Sequence, residues 1–169
     1  MLEENVERIA KSSEAIEKNT ALLVQLAKKL LPAESIDAKE NTQGVERVVT
    51  IAEKDGEKCV RVHAGKYDFI VALHDLGTGM NWHEAKKAAE EQGLRLFTKE
   101  EGMLMYIFKD EINAALVELG GDELSEDDFY WSSSECNTTS AWYLYFYSGY
   151  VNSNNKYDTN YIARGVAAF

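Results

Sequence analysis

Residues 129–169 read FYWSSSECNTTSAWYLYFYSGYVNSNNKYDTNYIARGVAAF, and the alternating pattern in the middle of this stretch decides the fold. Large apolar residues alternate with tyrosines from Ala141 to Tyr147, which is the two-residue period of a β-strand with one buried face. The face predicted to be buried carries Trp142, Leu144 and Phe146. The opposite face, predicted to meet solvent, carries Tyr143, Tyr145 and Tyr147.

The residues after this strand predict a small antiparallel sheet. Ser148-Gly149 is typical of a hairpin turn, and Tyr150-Val151 begins the returning strand. Asn152–Asn160 is predicted to be a loop. The last residues, from Tyr161 to Phe169, are apolar enough for a central strand of a sheet.

Residues 45–79 are predicted to form strands. The strand-like segments are Val45–Ile51, Lys58–Val62 and Tyr67–Leu73. The turn Lys54-Asp55-Gly56 separates the first two segments, as expected for a β-hairpin. Leu76–Gly79 is predicted to be a glycine-containing loop.

Two capping boxes then predict two helices, because each has a small polar N-cap residue followed by a glutamate three positions later. The capping pairs are Asn81 with Glu84 and Thr98 with Glu101. The predicted helices span about 82–92, ending at Gly93, and about 99–119, ending at Gly120-Gly121. An acidic loop, Asp122–Asp128, follows the second helix.

Residues 2–31 are predicted to form one long helix, because apolar and small residues recur at alternating spacings of four and three. The d positions of this heptad pattern are Leu2, Ile9, Ile16, Leu23 and Leu30. Pro32 ends the pattern. One interpretation is a coiled-coil stalk that makes a homo-oligomer, with a trimer favoured. The alternative is an amphipathic helix packed on its own domain, since the a positions include small and polar residues.

The charge distribution narrows the range of partners. Residues 129–169 carry Glu135, Asp158, Lys156 and Arg164, whose charges cancel, so the net charge of −11 arises entirely from residues 1–128. An acidic chain repels phosphate backbones, which argues against a nucleic-acid partner. No apolar run has the length of a membrane helix, and the N-terminus lacks a signal-peptide core, which argues against membrane insertion. We expect a soluble, cytoplasmic or phage-particle protein with reduced Cys59 and Cys136.

The composition of the tail predicts a recognition surface. Six of the nine tyrosines lie between Tyr143 and Tyr161, and Asn, Ser and Thr fill most of the remaining outward positions. Antibody paratopes have the same composition, because Tyr gives a large rigid contact at low entropic cost while Ser, Gly and Asn give adaptable hydrogen bonds. The alternative is a tyrosine-rich face covered by another element.

The stretch from about Phe69 to Phe169 resembles the ligand-binding domain of diversity-generating retroelement variable proteins, which belong to a formylglycine-generating-enzyme-like group. The segments that carry the resemblance are Val71–Asp75, Asn81-Trp82, Glu84-Ala85, Arg95–Glu101, Tyr130–Glu135, Ala141-Trp142, Gly149–Asn152 and Arg164–Phe169. In that family the 3′ end of the gene is rewritten by mutating adenines, so that asparagine codons change to Tyr, Asp, Ser, Thr and others.

The resemblance implies an α+β, C-type-lectin-like domain with two helices and short antiparallel strands. The heptad pattern predicts that an N-terminal coiled-coil helix precedes this domain. The parts are residues 1–32 (oligomerisation helix), 33–44 (linker) and 45–169 (ligand-binding domain), with the variable region at about 132–161. The variable, ligand-binding positions are Cys136, Asn137, Ser140, Tyr143, Tyr145, Tyr147, Tyr150, Asn154, Asn155, Tyr157, Asp158, Thr159 and Asn160. The scaffold positions are Trp131, Trp142, Leu144, Phe146, Gly149 and Val151.

The motifs of common enzymes and metal sites do not occur in the chain. We therefore expect no catalytic residue, no metal ligand and no cofactor, and an unknown macromolecular ligand, most simply a protein. Two other functions stay open. One is a lectin-fold adhesin or structural protein that never diversifies, and the other is a degenerate relative of formylglycine-generating enzymes.

Overall fold

The computed structural model describes residues 47–169, which form a mixed α+β fold of three helices and eight strands. The expected coiled-coil helix (1–32) and linker (33–44) lie outside the described residues. The strands are β1 (Val49–Lys54), β2 (Glu57–Ala64), β3 (Tyr67–Met80), β4 (Arg95–Leu96), β5 (Phe129–Glu135), β6 (Ser140–Tyr145), β7 (Tyr150–Asn155) and β8 (Tyr161–Ala168). The helices are α1 (Trp82–Glu91), α2 (Lys99–Ile107) and α3 (Lys109–Glu118).

The strands form one sheet in the order β1-β2-β3-β8-β5-β6-β7, and β4 pairs with β8. All pairs are antiparallel except β5 with β8, which run parallel. The last strand therefore lies at the centre of the sheet, which confirms the expectation from its apolar sequence. Residues Tyr161 to Val166 are all buried, because strands on both sides and helices on the faces remove them from solvent.

The first hairpin forms as its turn sequence predicts. Lys54 pairs with Glu57, so the connection is the two-residue loop Asp55-Gly56. Both loop residues have positive φ, 54° and 86°, as a type I′ turn requires. Strand β1 starts at Val49, whereas the predicted start was Val45, and it ends at Lys54, directly before the turn.

The predicted loop at Leu76–Gly79 is wrong, because β3 continues through these residues to Met80. The pairing of β3 with β8 shifts register after Val71, Asp75 and Gly77. Such irregularities act as β-bulges, which let one strand bend while it stays hydrogen-bonded to its neighbour. The glycines therefore mark bulges in a long strand and not its end.

Both capping boxes are confirmed. The side chain of Asn81 accepts from the backbone N–H groups of His83 and Glu84, and Glu84 accepts from the Asn81 N–H at 2.9 Å. Thr98 and Glu101 make the corresponding pair at the start of α2. These caps satisfy N–H groups that have no partner within a helix.

The single helix predicted over 99–119 is in fact two helices that meet at Phe108. The break has a packing reason. Helix α2 lies on β5 and β6, whereas α3 lies on β1 and β2, at the other end of the twisted sheet. One straight helix does not follow both halves of a twisted sheet, so the chain turns between them.

Arg164 lies fully buried in the central strand, and its partners join distant parts of the domain. Its Nε donates to the carboxylate of Asp75 at 2.7 Å. The other guanidinium nitrogens donate to the carbonyl oxygens of Ala72, Leu73, Asp122 and Glu123. All five N–H groups of the guanidinium can thus be satisfied, and we name these residues the Arg164 cluster. The cluster attaches the acidic loop after α3 to β3 and β8.

Candidate functional site

The two faces of β6 follow the predicted alternation only in part, because Ala141 is buried on the same face as Tyr143 and Trp142 is partly exposed on the same face as Leu144. Leu144 and Phe146 are buried beneath α2, where Phe146 meets the ring of Phe97 at 6.3 Å between centroids. On the opposite face, Tyr143 and Tyr145 are partly exposed. The strand ends at Tyr145, so Tyr147, which was predicted to belong to it, lies in the turn and is 67% exposed. The face that the sequence assigned to ligand recognition is thus accessible in the part of the chain that the structure describes.

The tyrosines of this face form a continuous aromatic strip together with Phe129. From the hairpin inwards, ring centroids lie 5.9 Å apart between Tyr147 and Tyr145, and 4.7 Å apart between Tyr145 and Phe129. Phe129 lies 5.4 Å from Tyr143, which lies 6.3 Å from Tyr150. Aromatic rings at these centroid distances, packed in tilted or edge-to-face orientations, attract one another and restrict each other's movement. The aromatic strip, defined as these five residues, is therefore a packed surface.

The aromatic strip rests on a buried stack of two rings. Trp131 is fully buried and stacks on Tyr161 with a centroid distance of 4.0 Å. The indole N–H of Trp131 donates to the Met80 carbonyl at 3.1 Å. Burial raises the pKa of Tyr143 to about 12, and burial also raises the pKa of Tyr161. Both phenols consequently remain neutral hydrogen-bonding groups throughout the physiological pH range.

Beyond Tyr143 the surface continues into two loops, 136–139 and 156–160. Asn137 Oδ1 accepts from the N–H groups of Thr139 and Ser140 at 2.9 Å. Asp158 Oδ1 accepts from the Asn160 N–H at 3.0 Å. These are Asx-type turns, in which a short polar side chain replaces a backbone partner. The polar candidates thus shape the loops that they occupy.

Lys156 connects these two loops, and sequence reasoning missed it. Its side chain is 95% buried, and Nζ lies 2.5 Å from Glu135 and 3.0 Å from the Thr138 carbonyl oxygen. The ammonium also lies 4.7 Å from the centroid of the Trp82 ring on α1. Hydrogen bonding and charge attraction from Lys156 lower the pKa of Glu135. The one available signal was that Lys156 is the single lysine of residues 129–169.

All the predicted ligand-binding residues keep access to solvent. The exposed ones are Cys136, Asn137, Tyr147, Asn155, Tyr157, Thr159 and Asn160. The partly exposed ones are Ser140, Tyr143, Tyr145, Tyr150, Asn154 and Asp158. They lie on one strand pair and its connecting loops. The register places Tyr143, Tyr145, Tyr150 and Asn154 on one face of the sheet and Ser140 and Asn155 on the other.

The predicted scaffold residues divide into two sets. The buried ones are Trp131, Leu144, Phe146 and Gly149, and the partly exposed ones are Trp142 and Val151. Trp142 was expected to be a buried aromatic, and this is wrong, because the ring is partly exposed. The long side chain of Lys99 lies over it, with Nζ 4.6 Å from the ring centroid, and leaves part of the ring in contact with solvent. The fully buried tryptophan of this sheet is Trp131.

Gly149 is required by two features of the β6–β7 hairpin. Its φ is 68°, a conformation that favours glycine. A Cβ atom at this position would lie 2.4 Å from a ring carbon of Tyr106. Tyr106 belongs to α2, so the helix beneath the sheet holds the hairpin that carries Tyr147 and Tyr150.

Sequence reasoning also missed Phe129 and Asn152, which lie among the predicted residues. Phe129 pairs with Tyr145 across β5 and β6, and Asn152 pairs with Tyr143 across β6 and β7. The predicted loop over 152–160 is wrong for its first residues, because β7 runs to Asn155. Phe129 and Asn152 belong to this surface because of the register in which their strands pair. That register is set by pairing with other strands, which the local sequence does not show.

The histidines make separate contacts. His74 Nδ1 lies 2.9 Å from the Asp122 carboxylate, whereas the neighbouring Asp75 turns inwards to Arg164. His83 lies against Tyr157, with centroids 5.4 Å apart. Within residues 47–169, no group of three or more His, Cys, Asp or Glu side chains is arranged to hold a metal ion. In the same residues, Cys59 and Cys136 are free thiols, and no helix is long and apolar enough to span a membrane.

No protein-family model matches the chain, and no curated protein matches it.

Proposed function

We propose that this chain is the variable protein of a diversity-generating retroelement, a non-enzymatic binding protein whose residues 45–169 form a C-type-lectin-like domain. Its ligand is a macromolecule, most simply a protein, and it binds on the aromatic strip and the two polar loops. Residues 2–31 form the stalk of a homo-oligomer, preferably a trimer, which multiplies weak individual contacts by avidity.

The observation that carries this proposal is the short range of the hydrogen bonds made by the polar candidates. Among the described residues, the side chains of Asn137, Asn154, Asn155 and Asp158 make hydrogen bonds only to partners within seven positions along the chain. Within the fold of a single chain, a substitution at such a residue disturbs its own turn and little else. A surface that must accept many sequences on one fold requires this property.

Neighbouring residues that were not candidates have the opposite property. Ser133 Oγ donates to the carbonyl oxygen of Phe97, which is 36 positions away, and Ser134 Oγ accepts from the Lys99 N–H. Lys156 reaches Glu135, 21 positions away. These side chains join separate elements, so a substitution at any of them would disturb more than one element. The contrast supports a division of the tail into variable and fixed positions.

The chemistry of the surface favours binding of the ligand through aromatic contacts and hydrogen bonds of uncharged groups. The aromatic strip offers ring faces, edges and phenol groups. Asp158, the one acidic candidate, already accepts hydrogen bonds from Asn154 and Asn160. Tyrosine supplies a large, rigid contact area at a low cost in conformational entropy, which suits a surface that is diversified.

The first test is to sequence the DNA downstream of the gene. We expect a near-copy of the segment that encodes residues 132–169, differing where the copy has adenines, beside a reverse-transcriptase gene. Absence of both would leave a lectin-fold adhesin with one fixed partner. An activity that depends on a thiol or a metal would instead favour the degenerate enzyme.

A second test uses two display libraries of the full chain. The first randomises Tyr145, Tyr147, Tyr150, Tyr157 and Thr159, and the second randomises an equal number of scaffold positions. We expect most clones of the first library to resist protease and few of the second to do so, because buried changes create cavities or overpacking. Equal survival of the two libraries would contradict the proposed division.

A further inference from the structure

Strand β7 is an edge of the sheet, since β6 is its one strand neighbour among the described residues. The Lys156 N–H donates to the Thr139 carbonyl oxygen at 2.9 Å, so these two residues form a hydrogen-bonded antiparallel pair. Hydrogen-bonded and non-hydrogen-bonded pairs alternate along such a ladder. The register therefore turns the backbone N–H and C=O groups of Val151, Ser153 and Asn155 away from β6, towards the open side.

Two of these three outward N–H groups are covered by asparagine side chains. Ser153 N–H donates to Asn152 Oδ1 at 2.8 Å, and Asn155 N–H donates to Asn154 Oδ1 at 2.8 Å. Among the residues that the structure describes, no side chain accepts from the N–H of Val151.

The two amides are fixed in this orientation by their nitrogen atoms. Asn154 Nδ2 donates to Asp158 and to the Tyr161 hydroxyl, both at 2.8 Å. Asn152 Nδ2 donates to the Tyr150 hydroxyl at 2.6 Å. A flipped Asn154 amide would turn its oxygen towards the Asp158 carboxylate and its nitrogen towards an N–H, which is unfavourable at both ends.

The outward groups of β7 are arranged symmetrically about Ser153. If two copies of β7 paired antiparallel around this residue, Ser153 would face Ser153, and Val151 would face Asn155 of the other strand. Every outward N–H group would then find a partner, in the self-complementary manner of a two-fold dimer. The C=O groups of Val151 and Ser153 would do so too, whereas the C=O of Asn155 already accepts from the Asp158 N–H at 3.0 Å. Open edges that are neutral and free of proline favour such pairing.

The two edges of the sheet are protected differently. Strand β1 carries Glu53 and Lys54 near its end, and α3 packs against it. Strand β7 has the sequence YVNSNN, without a charge or a proline. It therefore lacks the usual protection against strand addition.

We propose that the side chains of Asn152 and Asn154 cover the open edge of β7 and prevent it from pairing with β7 of a second copy of this chain. Occupying the N–H groups of Ser153 and Asn155 removes two of the three donors that each strand would contribute. The aromatic strip then stays available on the face of the sheet while its edge is closed. This assignment does not depend on the identity of the ligand.

The principal test is the full chain with Asn152→Ala and Asn154→Ala together, whose mass is measured by light scattering over a wide range of concentration. We expect the mass to rise to whole multiples of that of the wild-type assembly, whereas the wild type stays constant. The matched control is Asn155→Ala with Asn160→Ala, two asparagines of the same segment whose side chains do not cover an edge N–H. A constant mass in the first variant, or an equal rise in the control, would overturn the proposal.

Hydrogen exchange of individual amides gives a test that needs no variant. In the wild type, we expect Ser153 and Asn155 to be more protected than Val151, relative to the intrinsic rates of their sequences. Equal protection of the three amides would show that the caps are not formed in solution and would end the proposal.

Exchange also locates any new contact. In the assembled double variant, the amides of Val151, Ser153 and Asn155 should all become protected, because they would donate to the other copy. A rise in mass without this protection would place the contact elsewhere and contradict the role of β7. In Asn152→Asp, which keeps an acceptor, protection of the Ser153 amide should be retained, whereas Asn152→Ala should lose it.

Discussion

The Arg164 cluster and the polar loops beside the aromatic strip are both rich in hydrogen bonds, but they differ in the distance along the chain that these bonds span. Arg164 bonds to residues between 41 and 92 positions away. The side chains of the polar candidates Asn137, Asn154, Asn155 and Asp158 make hydrogen bonds to residues within seven positions of them. Long-range bonds make one residue necessary to several elements, whereas short-range bonds confine the effect of a change to one turn.

This difference teaches how one domain can be both stable and permissive. Stability comes from side chains whose burial and polar partners depend on the whole fold. Tolerance comes from side chains that are satisfied within their own loop or lie on the surface of the packed aromatic strip. The predictions below test this separation, beginning with the largest expected effect.

Arg164→Met should cause the largest loss, about 3–5 kcal/mol in the free energy of unfolding, because it leaves the partly buried Asp75 carboxylate without its cation. Denaturant unfolding followed by circular dichroism measures the change. The matched control is Arg61→Met, since Arg61 makes two similar bonds to Asp68 in a more exposed setting. There we expect about 1 kcal/mol or less. Similar losses in the two variants would contradict the comparison.

Trp131→Ala should cost about 3–5 kcal/mol, as expected for a fully buried aromatic that stacks on another ring. Trp142→Ala should cost less by about 1 kcal/mol or more, because part of this ring already contacts water. Thermal and denaturant melts of the two variants, measured side by side, test the order. A larger loss for Trp142 would place the structural support on the other face of β6.

Acid should destabilise the domain through Glu101. Burial alone would raise the pKa of this carboxylate, but hydrogen bonds from Arg95 and Thr98 outweigh it and hold the pKa below 4.5. A folded-state pKa below the unfolded value means that the contribution is complete above about pH 4.5 and is lost as pH falls through the folded value. In Glu101→Gln, unfolding free energy should therefore fall less steeply below this pH. An unchanged slope would rule out Glu101 as the source.

The smallest effects should come from the surface tyrosines, and they should be graded. Tyr157 is 73% exposed, so Tyr157→Ala should change the free energy of unfolding by about 0.5 kcal/mol or less. Tyr143 contacts Phe129 and Tyr161, with ring centroids 5.4 and 5.1 Å apart, so Tyr143→Ala should cost about 1–3 kcal/mol. Equal costs would mean that the aromatic strip is not packed.

Several features could be predicted from the sequence because their causes lie within a few residues. The Asp55-Gly56 turn and the two capping boxes depend on the side chains of one turn. The alternation along β6 predicted that Leu144 is buried and that Tyr143 and Tyr145 keep access to solvent, but not that Ala141 is buried and Trp142 partly exposed. The apolar ending predicted a central strand, because a strand with neighbours on both sides and covered faces has no polar side.

Other features could not be predicted because they depend on remote pairing. The bulges that keep β3 continuous through Gly77 and the placement of Phe129 beside Tyr145 both follow from register with strands far away in the chain. The helix break at Phe108 follows from the twist of a sheet that is completed only by the last strand.

The sequence by itself determined where the first two helices start, that tyrosines alternate with large apolar residues along β6, and that the tail is neutral and rich in tyrosine. Only the tertiary structure decided that Arg164 satisfies its donors among distant carbonyl groups, that Lys156 is buried between two loops, and that β7 is an open edge. The physical reason is the distance along the chain over which each effect acts. Propensity, capping and alternation act over one or two turns of chain, whereas burial and register are set by elements that meet only when the sheet is assembled.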